Sequence, residues 1–247
     1  MERRHGRMHI KGVLFDKDDT LIRLESFWKE PIYRLAKQTA NDIGVSENEP
    51  IVDILIKEAG FFRRKLIPES LVVTGTNEDI YEAWKKICCQ QGIGEYLFSS
   101  MKYKSIWLSR FADLCYEYGV VEPYEDVETV LKHLKSKKIY IGVVTSDYWN
   151  MTNHCLTRLG IRQYVDQVYT ADRVRKKPYP DAAIYFADYC QLCLKEIVMV
   201  GDSENDMKFA HNAGIHGIYL DRANQGDMPV YAEAAITNLC ELTNILS

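Results

Sequence analysis

Two aspartates separated by one residue directly follow a short apolar segment near the N-terminus. Residues 13–15 are typical of a buried strand, and Asp16 and Asp18 come immediately after them. Alternate residues of an extended chain point to the same side, so we expect the two carboxylates to share one small space. Like charges that close favour a divalent cation, or a proton held by one of them. One carboxylate could then act as a nucleophile while the other transfers a proton, although Asp and Thr are also ordinary turn residues.

Three further segments place polar side chains at the ends of predicted strands. Thr145 and Ser146 could hold a phosphate oxygen, or simply cap a helix. Lys177, which precedes a proline, could neutralise a phosphoryl group, or belong to a charged loop before a helix. Asp202 is placed to complete a magnesium site and Asp206 to support it or the lysine; the alternative is an Asp helix cap with acidic residues in the first turn. The order of all four segments nevertheless favours one site for phosphate and metal.

The second half of the chain alternates predicted strands with predicted helices. Strands are predicted for residues 139–145, 167–170, 197–200 and 217–220, and helices for residues 127–135, 150–159, 181–194 and 205–212. This alternation is typical of βαβ units and therefore of a parallel sheet. In such sheets ligands bind beyond the carboxyl ends of the strands, where the four segments lie.

The stretch between residues 25 and 119 has a different character. Its apolar residues recur at helical spacing, and only residues 71–73 look extended. We therefore predict an α/β core domain, a doubly wound parallel sheet formed by residues 1–24 and 120–247, with a mostly helical domain of residues 25–119 inserted into it. Arg63 and its basic neighbours in this insertion could meet a substrate carboxylate, or could form a solvated helix face.

Taken together, the four segments resemble the motifs of the haloacid dehalogenase (HAD) superfamily of phosphohydrolases. Their order is D-x-D-x-T, a hydroxyl after a strand, K-P-x-P and G-D-x-x-x-D. The insertion is similar to that superfamily's cap, placed after the first motif. The resemblance implies a Rossmann-like core, a helical cap domain and Mg²⁺ as cofactor.

The resemblance also implies a role for each matching residue. Asp16 would be the nucleophile that becomes an aspartyl phosphate, and Asp18 would be the general acid and later the general base. Thr145 would bind the phosphate, while Lys177 would hold both the phosphate and Asp16. The implied Mg²⁺ ligands are Asp16, the backbone carbonyl of Asp18, and Asp202, with Asp206 in support. Asp19 stands where many members of the superfamily have glycine.

The residue at position 18 narrows the activity that the resemblance implies. Haloacid dehalogenases and phosphonatases lack an acid there, and the transport ATPases need membrane helices, so a phosphomonoester hydrolase is favoured. The opening FDKDDTLI, the Phe27-Trp28 pair and the Gly75-Thr76 stretch resemble phosphoglycolate-phosphatase-like members, which makes 2-phosphoglycolate the first candidate substrate. The alternatives are a nucleotidase, a pyrophosphatase, or a sugar-phosphate phosphatase or phosphomutase. A non-catalytic binding or regulatory protein on the phosphatase fold is the alternative from another class.

The resemblance implies a small phosphorylated metabolite as the partner, and the composition favours no other kind. A net charge of −4 without a long basic stripe argues against nucleic acid, and no apolar run is long enough to span a membrane. The basic start of the chain is not followed by an apolar signal-type stretch. The seven cysteines, including Cys190 and Cys193 in a predicted helix, are expected to be reduced thiols of a cytoplasmic protein. We expect a monomer or a dimer.

Overall fold

The chain divides into two compact units. The structure, a computed structural model, describes residues 9–67, 70–224 and 226–246, so most of the basic N-terminal segment lies outside the described residues. Met1–Arg23 and Pro123–Ser247 form one unit, here called the core unit, and Leu24–Glu122 form the other, here called the inserted unit. The core unit begins with strand β1 (Gly12–Phe15), whose four residues are all buried.

The inserted unit is mainly helical. Its helices are α1 (Leu24–Asp42), α2 (Pro50–Ala59), α3 (Leu71–Thr74), α4 (Asn77–Gln90), α5 (Glu95–Phe98) and α6 (Met101–Tyr118), and a short antiparallel hairpin of β2 (Phe61–Phe62) and β3 (Lys65–Leu66) follows α2. Buried aromatic rings form the centre of this unit, where Trp107 packs edge-on against Trp84 at 5.4 Å between ring centroids. The Trp107 indole N–H donates to the Thr39 hydroxyl at 2.9 Å, so this buried donor is satisfied.

Two local predictions for the insertion were wrong. Residues 71–73 form the single helical turn α3 instead of an extended segment, because the Ser70 carbonyl accepts from the backbone N–H groups of Val73 and Thr74 at 2.9 Å. Arg63 and Arg64 do not lie on a helix face, since they form the two-residue turn between β2 and β3. Both differences arise from short-range backbone bonding that competes with the residues' intrinsic preferences.

The core unit continues with alternating helices and strands. These are α7 (Val127–Ser136), β4 (Tyr140–Val144), α8 (Trp149–Arg158), β5 (Gln167–Tyr169), α9 (Asp181–Cys190), β6 (Ile197–Gly201), α10 (Glu204–Ala213), β7 (His216–Leu220), β8 (Ala234–Ile236) and α11 (Leu242–Ile245). The strands form one sheet in the order β5-β4-β1-β6-β7-β8, and every neighbouring pair is parallel. The predicted doubly wound parallel sheet is therefore confirmed.

Strand β1 lies at the point where the strand order reverses. The chain proceeds from β1 to β4 and β5 on one side, and then crosses to β6, β7 and β8 on the other. The crevice beyond the carboxyl ends at such a point is the usual ligand site of an open α/β sheet. Phe186 of α9 packs closely over the sheet because Gly12 and Gly142 carry no Cβ; one added there would lie 2.8 and 3.0 Å from its ring.

The C-terminal half differs from expectation in two places. The helix predicted for residues 181–194 ends at Cys190, because Gln191 takes a left-handed conformation at φ +54°. Cys193 therefore lies outside the helix and is exposed, and each cysteine in the described part of the chain is a free thiol. Strand β8 and helix α11 were not predicted. Among the described residues, no helix combines the length and apolar character needed to cross a membrane.

Candidate active site

Three aspartates from two neighbouring strands converge at the carboxyl end of the sheet. Asp16 follows β1 directly, Asp202 follows β6, and Asp206 lies in the first turn of α10. One carboxylate oxygen from each lies within 4.8 Å of the others, and Asp16 and Asp206 are buried. A cluster of carboxylate oxygens of this kind suits a hard divalent cation such as Mg²⁺.

Gly201 makes room for this cluster. A Cβ built on Gly201 would lie 2.4 Å from the carboxylate carbon of Asp206, a distance that real side chains do not tolerate. Asp206 is held on both of its oxygens, since Oδ1 accepts from Lys177 at 2.6 Å and Oδ2 accepts from the Ser203 hydroxyl at 2.5 Å. This arrangement fits Asp206 in a supporting role beside the metal.

Lys177 forms ion pairs with both Asp16, which follows β1, and Asp206, which lies in α10. The peptide bond between Lys177 and Pro178, just before α9, is cis, and the Lys177 side chain is buried. The Lys177 ammonium donates to Asp16 as well as to Asp206. The side-chain amide of Asn205 donates to the Lys177 backbone carbonyl at 3.3 Å, which fixes the lysine from α10.

Burial and mutual repulsion shift the ionisation of the cluster. Burial raises the pKa of Asp16 to about 7; Asp206 and Asp18 push it the same way, whereas Lys177 opposes the shift. Burial, together with the Asp16 and Asp206 carboxylates, also raises the pKa of Asp202 well above its ordinary value. For Lys177, burial alone lowers the pKa, but the two adjacent carboxylates outweigh it and raise the pKa above its ordinary value. Lys177 is thus paired with two of the three carboxylates, and a divalent cation would offset the remaining negative charge.

The predicted phosphate-binding residues lie on the loop after β4. Thr145 is buried, its backbone N–H donates to the Tyr169 carbonyl at 3.0 Å, and its hydroxyl accepts from the Asp147 N–H at 3.1 Å. The backbone amides of Thr145 and Asp147 are thus both bonded within the fold. The Thr145 hydroxyl keeps its own proton to donate. Ser146 follows on the same loop and is half-buried.

Asp18 does not join the three-aspartate group. It lies near enough to raise the pKa of Asp16, but its Oδ1 accepts from the ammonium of Lys17 at 2.7 Å. Lys17 is fully buried and also forms an ion pair with Asp147, with 3.3 Å between Nζ and Oδ2. Burial lowers the pKa of Lys17, but Asp18 and Asp147 outweigh it, so the pKa lies above its ordinary value. Asp19, the residue after Asp18, adopts φ +53°, which aspartate tolerates better than most residues.

Lys17, Thr20 and Arg222 were not among the predicted site residues. The Thr20 hydroxyl donates to Oδ1 of Asp202 at 3.0 Å, and the Thr20 carbonyl accepts from the guanidinium of Arg222 at 2.8 Å. Arg222 also forms a two-pronged pair with Asp126, with both distances at 3.1 Å. For Lys17, the signal in the sequence was a charged residue close to the end of an apolar strand. For Thr20, it was the position at the end of the D-x-D-x-T segment.

A family profile described as haloacid dehalogenase-like hydrolase matches residues 10–214. The chain therefore belongs to the haloacid dehalogenase-like hydrolases, and the resemblance seen in the sequence is confirmed. Its relatives within that family include phosphoglycolate phosphatases, which supports a phosphoric monoester hydrolase. The alternative of a non-catalytic binding protein is accordingly not supported.

Known relatives of the chain carry different substrate names. A phosphoglycolate phosphatase of Neisseria meningitidis is 27% identical over 227 residues, covering 91% of this chain and 86% of the relative. A glyceraldehyde 3-phosphate phosphatase of Methanothermobacter thermautotrophicus is also 27% identical, over 215 residues and 86% of each chain. The crystal structure of the Bacillus subtilis HAD-hydrolase YfnB, bound to magnesium, has a TM-score of 0.66 at 15% identity and covers 98% of this chain and 99% of that one. This last likeness shows the shared fold.

Proposed function

We propose that the chain is a Mg²⁺-dependent phosphatase that hydrolyses a small phosphorylated metabolite through an aspartyl-phosphate intermediate, with 2-phosphoglycolate as the first candidate. The observation that carries the proposal is the convergence of Asp16, Asp202 and Asp206, with Lys177 bonded to Asp16 and Asp206. Phosphoryl transfer needs mainly in-line positioning and neutralisation of spread negative charge, and this group of side chains suits both tasks.

The donor set fits a magnesium ion. Carboxylates are the ligands that Mg²⁺ prefers in proteins, and three of them converge here while Lys177 is paired with two of them. Asp16 and Asp202 would hold the ion together with the backbone carbonyl of Asp18, and Asp206 would support them. When bound, the ion reduces the repulsion between the Asp16 carboxylate and the phosphate dianion.

The first half of the reaction forms the phosphoenzyme. An oxygen of Asp16 attacks the phosphorus while the bond between phosphorus and the leaving oxygen breaks. Asp18 donates its proton to that leaving oxygen, which departs as an alcohol. Lys177 and the Thr145 hydroxyl stabilise the negative charge on the remaining phosphoryl oxygens. Lys177 also orients the attacking carboxylate, since it donates directly to Asp16.

The second half regenerates the enzyme. Asp18, now a carboxylate, takes a proton from a water molecule as that water attacks the phosphorus. The bond between phosphorus and the Asp16 oxygen breaks, and inorganic phosphate is released. Ser146, on the same loop as Thr145, contributes to phosphate binding in both halves. The same two aspartates thus serve both steps.

The inserted unit is proposed to be the cap domain that selects the substrate. The core side chains bring chemistry common to any phosphomonoester, so the leaving group must be recognised by other residues. Residues 25–119 were expected to provide such a domain. The hairpin between β2 and β3 carries Arg63 and Arg64 at its exposed turn, where they could meet a substrate carboxylate.

The substrate is proposed from the relatives' names. Phosphoglycolate phosphatases, glyceraldehyde 3-phosphate phosphatases and a putative pyrophosphatase occur among them. Because glyceraldehyde 3-phosphate is a triose phosphate, a sugar-phosphate phosphatase is supported as well, whereas no relative named here supports a nucleotidase or a phosphomutase. We further propose a cytoplasmic monomer or dimer, a location in keeping with the free thiols. Light scattering on the purified protein determines the oligomeric state.

A panel of phosphorylated metabolites tests the proposal. Phosphate release is measured with Mg²⁺, and again after EDTA, from 2-phosphoglycolate, glyceraldehyde 3-phosphate, pyrophosphate, nucleoside monophosphates and hexose phosphates. We expect 2-phosphoglycolate to give the highest kcat/KM and EDTA to abolish turnover. A higher kcat/KM for another compound would replace the candidate substrate. Undiminished turnover in EDTA would overturn the metal dependence.

A further inference from the structure

Lys17 is a fully buried lysine between the proposed nucleophile and the proposed general acid. Its ammonium donates to Oδ1 of Asp18 at 2.7 Å and forms an ion pair with Asp147, at 3.3 Å between Nζ and Oδ2. A buried ammonium is costly unless it is paired, and an apolar side chain would fill the same space more cheaply. The presence of a buried lysine at this position therefore needs an explanation, and a role in orienting its charged partners would supply one.

Asp147 is a rigid anchor for this lysine. Its backbone carbonyl accepts from the Ala171 N–H at 3.1 Å, and its Oδ1 accepts from the Tyr148 N–H at 2.7 Å. Its own N–H donates to the Thr145 hydroxyl at 3.1 Å. Asp147 is thus fixed by hydrogen bonds within the loops after β4 and β5. Its carboxylate in turn fixes the position of the Lys17 ammonium.

Asp18 is the less constrained partner. Its side chain is 23% exposed, in contrast to the fully buried side chain of Lys17, and it lies on the turn where Asp19 adopts φ +53°. Because a lysine ammonium can only donate, the Asp18 oxygen that accepts from it cannot also carry a proton directed at Lys17. Oδ1 is therefore occupied by Lys17, and Oδ2 is the oxygen available for proton transfer.

We propose that Lys17 is a positioning residue for Asp18, and that its ammonium, anchored by Asp147, holds Oδ1 so that Oδ2 exchanges the proton with the leaving group. This inference rests on the proposed phosphatase mechanism. In the first step the proton moves from Oδ2 to the leaving oxygen as its bond to phosphorus breaks. In the second step Oδ2 takes a proton from the attacking water. Lys17 keeps its own protons throughout.

A double-mutant cycle tests this role. Lys17→Met keeps most of the length of the side chain and removes the charge, and Asp18→Asn removes the proton donor. We measure kcat/KM, which reports the steps up to phosphoenzyme formation, on p-nitrophenyl phosphate and on 2-phosphoglycolate. Lys17→Met should lower kcat/KM about 10-fold more on the alkyl ester than on the aryl ester, because only the alkyl leaving group needs a positioned acid. Added to Asp18→Asn, the same substitution should change kcat/KM by less than about 2-fold.

Two comparisons keep the test decisive. Lys135→Met removes the pair between Lys135 and Asp166, at 2.8 Å and elsewhere in the core unit, and should leave both activities unchanged. If Lys17→Met fails to fold, Asp147→Asn removes the anchor's charge at constant volume and should produce the same split between the two esters.

The outcomes separate this inference from the proposed function. Equal losses on the two esters, or multiplicative losses in the double mutant, would mean that Lys17 has only a structural role. A wild-type protein that hydrolyses neither ester would instead remove the proposed mechanism, and the role of Lys17 with it. Wild-type turnover combined with the expected split supports both proposals.

Discussion

The hydroxyl of Thr20 donates to Oδ1 of Asp202 at 3.0 Å, and so connects the loop after β1 to the loop after β6. The two residues are 182 positions apart in the chain. Thr20 is buried, and its backbone carbonyl is itself held by Arg222. The Asp202 carboxylate, a proposed magnesium ligand, is therefore oriented by a residue that does not ligate the metal.

We predict that Thr20→Val weakens Mg²⁺ binding by about 10-fold or more, the usual effect of losing a partner that orients a metal ligand. Thr20→Ser keeps the hydroxyl and should bind Mg²⁺ nearly as the wild type does. Isothermal titration calorimetry with Mg²⁺ measures both. Equal affinities for the valine and serine variants would show that the hydroxyl does not orient Asp202.

Asp16→Asn should lower phosphatase activity by more than about 10³-fold, because an amide cannot form the aspartyl phosphate. The measurement is phosphate release from p-nitrophenyl phosphate at saturating Mg²⁺. Asp188→Asn, an exposed position on α9, is the matched control and should retain full activity. Substantial turnover by the Asp16 variant would assign the nucleophile to another group.

Asp18→Asn should affect alkyl esters more than aryl esters. General acid catalysis contributes about 10²–10⁴-fold, and we expect a loss of kcat/KM in that range for 2-phosphoglycolate. The loss on p-nitrophenyl phosphate should be about 10-fold or less, since its leaving group needs little protonation. Magnesium binding, measured by calorimetry, should be largely retained because only the backbone carbonyl is assigned to the metal. A loss of the same size on both esters argues against the general-acid role.

The metal-free protein should become less stable as the pH rises from about 4 to about 7. The pKa of Asp16 is raised by burial to about 7 and that of Asp202 is raised as well, so the folded state binds these protons more tightly than the unfolded state. Stability contributed by the protonated forms is therefore present at low pH and is lost as the pH passes through the folded-state values. Each kcal/mol corresponds to about 2–4 °C in Tm for a chain of this size.

Thermal melts of the EDTA-treated protein at pH 5 and pH 7.5 measure this effect. Asp202→Asn removes one half-buried charge and should show a smaller decrease in Tm between the two values than the wild type shows. Asp188→Asn should behave like the wild type. Mg²⁺ should raise the Tm of the wild type at pH 7.5 and have much less effect on the Asp202 variant. If the Tm of the Asp202→Asn variant depended on pH as the wild-type Tm does, the raised pKa of Asp202 would not be a source of the effect.

Arg63→Gly should separate stability from substrate binding. Arg63 and Arg64 both adopt positive φ, at +48° and +63°, in a two-residue hairpin turn where glycine and asparagine are preferred. Removing this strain should leave Tm unchanged or raise it by about 1–3 °C. If the turn contacts the substrate, KM for 2-phosphoglycolate should rise while kcat on p-nitrophenyl phosphate stays the same. An unchanged KM for 2-phosphoglycolate would place substrate selection elsewhere.

Much of the core unit was predictable because its signals are local. The alternation of apolar strands and amphipathic helices after residue 127 indicated a parallel sheet, and the polar residues that follow β1, β4 and β6 marked its carboxyl edge. The one-turn helix α3 and the hairpin at Arg63 were not predictable in the same way. Their residues have preferences that a few backbone hydrogen bonds override, and apolar spacing does not report such bonds.

By itself, the sequence determined which residues stand at the ends of the strands and which family they resemble, because these depend on residue types and short spacings. Only the tertiary structure decided how they are paired. Lys177 bonds to Asp16 across 161 positions of the chain, and Asp18 bonds to its neighbour Lys17 and lies outside the acidic cluster beside Asp16. Strand alternation gives the side of the sheet that a residue faces, whereas its partner depends on which distant loop packs beside it. That choice is made by the packing of the whole core unit.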